Sequence, residues 1–199
     1  MRLMQWLHRA WRIIRWPLGI LVVLYIGVAI FSIPHALEKM KTEEVVARIH
    51  SQKLTIENVN GEHLPPPPDP VQVDATVEGV DANQNGIRDD VELAIFEKYP
   101  NDAKIRAAEL QYAMALQMEF TQVFNEETWM VSAQQEGRGF GCIYDNSETG
   151  TSATSRRIEV ERLMLNTDLR KERSEQVGQY ATSFKVLSGT DCDVLDQPK

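Results

Sequence analysis

A chain of 199 residues that is 43% hydrophobic and 25% charged can bury a sizeable core, which excludes a disordered or low-complexity protein. Its formal net charge of −8 leaves little to neutralise phosphate, so nucleic acid is not an expected partner. Two cysteines are too few for a disulfide-dense scaffold or for cysteine-only zinc and iron–sulfur sites.

The charge is unevenly spread. Residues 1–41 carry six bases and one acid, a balance of +5, whereas residues 42–199 carry 15 bases and 28 acids, a balance of −13. Residues 16–34 form an uncharged run of 19 residues centred on Leu18-Gly-Ile-Leu-Val-Val-Leu-Tyr-Ile-Gly-Val-Ala-Ile-Phe31. As a helix this run spans roughly 28 Å, about the thickness of a hydrocarbon layer. A cleaved signal peptide is the alternative, but the run is long for one and its exit, Phe31-Ser-Ile-Pro-His-Ala-Leu37, lacks a clean small-x-small site. Residues 17–34 are therefore expected to be an uncleaved anchor. Arg2, Arg9, Arg12 and Arg15 precede it, which places the N-terminus in the cytoplasm and the rest across the inner membrane, in the periplasm.

Residues 1–16 carry a second pattern. Leu3, Met4, Trp6, Leu7, Ala10, Trp11, Ile13 and Ile14 share one helical face, and Arg2, Gln5, His8, Arg9, Arg12 and Arg15 share the other. That is the pattern of an amphipathic helix lying in the lipid interface, and equally of an ordinary basic leader segment. Pro17 is expected to mark the bend into the span.

Residues 35–63 read as a charged stalk or linker. Within it Lys53-Leu-Thr-Ile-Glu-Asn-Val59 alternates like a short strand, and Asn60-Gly61 signals a turn. Pro65-Pro-Pro-Pro-Asp-Pro70 is expected to be extended, as a strap or spacer more readily than as a partner's ligand. Residues 71–77, Val-Gln-Val-Asp-Ala-Thr-Val, are also expected to be extended.

From residue 89 onward the pattern is helical. One helix is expected over 89–99, stopped by Pro100. A longer one follows Asn101-Asp102 over about 102–134, broken by Gly137-Arg-Gly-Phe-Gly141. A polar loop covers 145–151. A third helical region runs from 153 to 187, interrupted or recapped at Asn166-Thr167-Asp168 and ended by Ser188-Gly189. The fold class is thus mainly α, with residues 64–199 as a helical periplasmic domain. Cys142 and Cys192 lie in its oxidising compartment, where a disulfide is expected, with two buried free thiols as the alternative.

His8, His35, His50 and His63 are the four histidines, so residues 64–199 contain no imidazole. A Ser-His-Asp or Cys-His mechanism, or a histidine-ligated metal, cannot be built there from its own residues. Phosphate-cradling and nucleophile-elbow motifs are missing too. No catalytic activity is expected.

One stretch carries specific chemistry. Residues 81–92, Asp-Ala-Asn-Gln-Asn-Gly-Ile-Arg-Asp-Asp-Val-Glu, place oxygen-bearing side chains at the first, third and fifth positions and glycine at the sixth. A hard ion wanting six to eight oxygens needs this spacing, because alternate residues of a tight loop point inward. The expected ligands are Asp81, Asn83, Asn85, the Ile87 carbonyl, Asp89 and Glu92, for one Ca2+ held with modest affinity, about 10⁻⁴–10⁻³ M. The plainer alternative is an Asn/Gly-rich turn that caps the next helix without metal.

The stretch resembles an EF-hand loop and departs from it twice. Arg88 occupies the eighth position, where an EF-hand has an apolar residue, and no entering helix precedes the loop. The form is closer to the single calcium loops of dockerin-type or thrombospondin type 3-like repeats. More widely, Leu54–Gly61, His63–Pro70, Asp74-Ala-Thr76 and the 81–92 loop resemble a group of uncharacterised exported proteins of Gram-negative bacteria, with Leu165-Asn-Thr167 and Leu187-Ser-Gly189 fitting more loosely. The resemblance implies periplasmic exposure and a calcium loop, and no activity. The expected role is a membrane-anchored calcium-binding structural or interaction module whose anchor contacts lipid. An accessory subunit of a membrane-protein complex is the first alternative. A carboxylate-dependent envelope hydrolase is the second, and it would require a pocketed pair of buried carboxylates away from the loop.

Overall fold

The computed structural model describes residues 2–184 and 191–194; for residues 2–10, 12–14 and 31 it describes the helical backbone alone. The described elements are eight helices, and no strand occurs among the described residues. Packing divides the chain into two units, Met1–Glu44 and Val45–Lys199.

The first unit is helix α1, Arg2–Ser51, up to residue 44. Pro17 and Pro34 both lie inside α1, so the chain stays helical through the position where a bend is expected. A proline removes one N–H from a long ladder and leaves the remaining turns bonded. The apolar residues are exposed all round, as Trp16, Leu18, Val23, Tyr25 and Ile30 illustrate. The helix is long and apolar enough to cross a membrane. The two-faced pattern of residues 1–16 rests mostly on side chains outside the described residues.

The second unit is a helical bundle built around α5, Ala103–Gln122. The residues 35–63 read as a stalk do not all act as one. Val45 and Ile49 in the last turns of α1, with Leu54 and Val59 after it, are buried in the core. The strand expected over 53–59 is helix α2, Ile56–Asn60. Thr55 and Asn58 form a reciprocal capping box, and that local hydrogen bonding outweighs a short alternating pattern. Gly61 then ends α2 in the left-handed conformation, at φ 74°. Residues 71–77 are also not extended throughout. The Asp69 carboxylate caps α3, Pro70–Asp74, and Pro70 stands at its first turn, where a missing N–H costs nothing.

Helix α4, Asp89–Lys98, ends just before Pro100, and Asp102 caps α5 through the Ile105 N–H. Helix α5 ends at Gln122, earlier than the sequence suggests. Asn125 begins α6, Glu126–Asp145, with a second capping box to Thr128. Gly137–Gly141 do not break α6 but lie inside it. A Cβ on Gly139 would stand 2.9 Å from the Tyr112 Cα, so glycine here lets α6 approach the α5 backbone. Thr149 caps α7, Gly150–Met164, and Thr167 caps α8, Asp168–Gly178. The interruption expected at 166–168 is the α7–α8 junction. The helix end expected at Ser188-Gly189 lies outside the described residues. Cys142 on α6 and Cys192 form a disulfide.

Helix α5 is buried nearly all round. Ala107, Ala108, Leu110, Tyr112, Ala113, Met114, Leu116, Met118 and Phe120 face α6, α7, α4, α8 and α2. Buried arginines, with half-buried Arg173, serve the helix ends around it. Arg106 donates to the Tyr99 and Pro100 carbonyls after α4. Arg156 pairs with buried Glu109 at 2.8 Å and donates to the Asn146 carbonyl after α6. Arg170 holds the Val73, Thr76 and Val77 carbonyls at the end of α3. Arg173 takes Phe120 and Val123 at the end of α5. Each guanidinium meets carbonyls that a helix C-terminus leaves without partners, where the macrodipole also favours a cation.

Candidate functional site

The 81–92 loop is shaped by its own side chains. The Asp81 carboxylate accepts the N–H groups of Asn85 at 3.1 Å and Gly86 at 2.9 Å. The Asn83 side-chain oxygen accepts the Asn85 N–H at 3.3 Å, and that of Asn85 accepts the Ile87 N–H at 2.9 Å. These short-range bonds draw the first, third and fifth side chains inward, as Asx turns do. The sharp bend falls on Gly86, at φ 84°. A Cβ there would meet Gln52 Nε2 at 1.7 Å, a side-chain end that can move aside, so it is the conformation that requires glycine.

Helix α4 supplies the remaining groups. Asp89 and Glu92 in its first turns are each 1% exposed. Asp89 accepts the Ala82 N–H at 3.0 Å. The two Glu92 oxygens accept the amide N–H groups of Asn83 at 3.0 Å and Asn85 at 2.9 Å. No lysine or arginine among the described residues forms an ion pair with Asp81, Asp89 or Glu92. Burial pushes the Glu92 carboxyl up to about 7, with Asp89 and Asp81 adding to the effect and the Asn83 and Asn85 amides opposing it. Asp89 is also raised, by burial first and by Asp81 and Asp90.

The structure therefore joins Asp81, Asn83, Asn85, Asp89 and Glu92 in one hydrogen-bonded network, while the Ile87 side chain is fully buried in the core. It does not place three acidic, histidine or cysteine side chains so that they could hold one metal ion, and no group so placed occurs among the described residues. The donor set nevertheless fits a hard cation in chemistry, being oxygen throughout and rich in uncompensated carboxylate. Two more oxygens lie nearby. Gln117 Oε1 and Gln122 Oε1 are buried without hydrogen-bond partners, and both residues line a cavity of about 220 Å³ shared with Asp81 and Gly86.

Arg88 explains the departure at the eighth position. It is completely buried and turned away from the loop. It pairs with Asp90 at 2.5 Å and donates to the Leu163 and Met164 carbonyls at the end of α7. Where an EF-hand packs an apolar residue on a sister loop, this chain docks an arginine on its own bundle. Asn166 accepts from Arg88 and Arg170 together, joining the loop and α3 to the α7–α8 junction. A charged residue at a template's apolar position was the available signal, but its partner lies 75 residues away.

A second acidic group surrounds Tyr112. Its hydroxyl donates to Glu161 at 2.8 Å and Glu136 at 3.3 Å, and Glu119 is close enough to Glu136 for each charge to be felt. Burial, with Glu136 next, pushes the Glu119 carboxyl up to about 7. The composition gave no pointer to this cluster, because the three glutamates sit on three different helices.

No family model, curated protein or solved structure matches the chain.

Proposed function

We propose that the chain is a membrane-anchored, calcium-stabilised structural and interaction module that carries no catalytic activity. The observation that supports it best is Glu92: a buried carboxylate beside Asp81 and Asp89, closed over only by two neutral amides. A divalent cation would remove the like-charge repulsion of all three. Asp81, Asn83, Asn85, the Ile87 carbonyl, Asp89 and Glu92 would hold it. Modest affinity follows from the work of turning the Asn83 and Asn85 amides from Glu92 toward the ion. With one loop and no sister, the ion would brace α4 against the preceding strap rather than open a groove.

The uniformly apolar stretch of α1 over residues 16–34 supports an anchor, since a helical span with no polar face needs an apolar solvent around it. Its basic leading end supports a cytoplasmic N-terminus. The Cys142–Cys192 bond supports an oxidising compartment for the second unit, which in a Gram-negative cell is the periplasm.

Scanning calorimetry of the full chain in detergent tests the calcium reading. Calcium at about ten to a hundred times the expected Kd should raise the melting temperature of the natural chain and leave Asp81→Ala/Glu92→Gln unmoved. Equal shifts in the two proteins, or none in the natural chain, would overturn it.

A further inference from the structure

Away from the loop, a cavity of about 380 Å³ opens between α5, α6 and α7. Its walls are aromatic: Tyr112, Trp129, Phe140 and Phe184. Trp129 and Phe184 meet edge to face, with centroids 5.7 Å apart at 75°. One carboxylate lines it, that of Glu136.

The polar groups around the cavity are unequally engaged. Glu161 takes the short bond from Tyr112 and a second from Arg157 at 2.6 Å, so it is held twice. Glu136 keeps only the 3.3 Å contact to the same hydroxyl, and a single proton cannot serve both acceptors well. No ion pair to Glu136 or Glu119 occurs among the described residues. Arg157, the one base among the described residues lining the cavity, is committed to Glu161 and lies over the Phe140 ring at 5.6 Å. That ring therefore already presents its face to a cation.

We propose that this cavity binds an organic cation, an ammonium or guanidinium group on an alkyl stem, with Glu136 as counter-ion and the Trp129 and Phe140 rings as walls. A carboxylate with no ion-pair partner among the described residues, beside π faces, supplies charge and quadrupole attraction together. A neutral saccharide fits less well, because it would leave the Glu136 charge without a counter-ion. Hydrolysis by a carboxylate pair fits less well too. Glu161 is clamped and Glu119 does not line the cavity, so among the described residues one carboxylate faces the space where two would be needed. The site shares no residue with the calcium loop.

The cation has two sources, a free diamine or a basic side chain of another polypeptide. Titration calorimetry of the full chain in detergent, with calcium present, separates them using cadaverine and N-acetyl-lysine methylamide. Pentane-1,5-diol serves as the uncharged match of cadaverine and a chito-oligosaccharide as the sugar. The expected result is saturable one-to-one binding of an amine and none of the diol. Tighter binding of cadaverine assigns the free diamine, and tighter binding of the lysine mimic assigns a polypeptide; either supports the site. Binding should fall about tenfold or more in Glu136→Gln. It should fall likewise in Thr154→Trp, which fills the exposed mouth without touching the core and decides the matter if the first variant folds poorly. Asp81→Ala/Glu92→Gln should bind amine normally, which separates this test from that of the loop. No saturation by either amine at millimolar concentration, equal affinity in the mouth variant, or equal binding of the diol or sugar would overturn the proposal.

Discussion

The carboxylates of the 81–92 loop and those around Tyr112 are gathered by the same bundle, yet their surroundings differ in kind. Asp81, Asp89 and Glu92 are met by backbone N–H groups and two amides, all neutral. Glu161 is met by a phenol and a guanidinium, and Glu136 and Glu119 are left as its less satisfied neighbours. Neutral donors satisfy geometry without removing repulsion, so the loop keeps its demand for charge and can offer it only through oxygen. Aromatic walls offer a second kind of attraction, suited to a soft, weakly hydrated cation. A buried acidic cluster thus has no chemistry of its own; the atoms between and around the carboxylates decide which positive partner it suits.

The comparison can be broken where each cluster is tied down. Arg88 is fully buried and holds Asp90 and two helix-end carbonyls, whereas Arg157 is partly exposed and pairs with Glu161 one turn away. Replacing Arg88 by Met should cost about 3 kcal/mol, because it strips partners from buried carbonyls. Replacing Arg157 by Met should cost about 0.5 kcal/mol, as an exposed helical pair does. Urea unfolding of the full chain in detergent measures both. Similar losses would mean that the loop is no more firmly anchored than the pocket.

A smaller effect sharpens the contrast in ligand. Calcium at about 10 mM should stabilise the natural chain by about 2 kcal/mol if the site binds in the 10⁻⁴–10⁻³ M range. Glu136→Gln and Glu119→Gln should retain that gain in full, and Glu92→Gln should lose it. A gain lost in the pocket variants would show that the two clusters are one electrostatic system.

The smallest expected effect concerns pH. Glu119 keeps its proton to about pH 7 when folded and releases it near 4.5 when unfolded, mainly because burial disfavours its charge. The folded state therefore binds more protons between those values. The stability this confers is full below about pH 4.5 and is lost as pH rises through about 7. Glu119→Gln should be more stable than the natural chain by about 1 kcal/mol at pH 8, discounting for its partial exposure, with the difference vanishing at pH 4. Calcium-free melts across that range check this, and parallel curves would assign the pH dependence elsewhere.

Helix boundaries were legible at three positions where one residue sets them. Pro100, Asp102 and Thr167 act through their own backbone or side chain on the next turn, and α4, α5 and α8 begin or end where they stand. Short extended segments were misread because a nearby cap outweighed the pattern, through Thr55 at α2 and Asp69 at α3. The glycines of α6 were misread for a different reason. In isolation they weaken a helix, but Gly139, packed on the Tyr112 backbone, permits an approach that any side chain would prevent. The loop's inward side chains could be read from spacing. The turned-away Arg88 and the Glu136–Tyr112–Glu161 arrangement could not.

The sequence by itself determined an apolar helix long enough for a membrane, a mainly helical second unit, the caps that start α5 and α8, and a disulfide between its two cysteines. These depend on runs of neighbouring residues, or on there being only one way to pair two thiols. Tertiary structure alone decided that residues 45–59 join the core, that buried arginines close the helix ends, and that two sets of carboxylates meet different company. Those outcomes depend on groups far apart in the chain, and burial brought them to within hydrogen-bond reach.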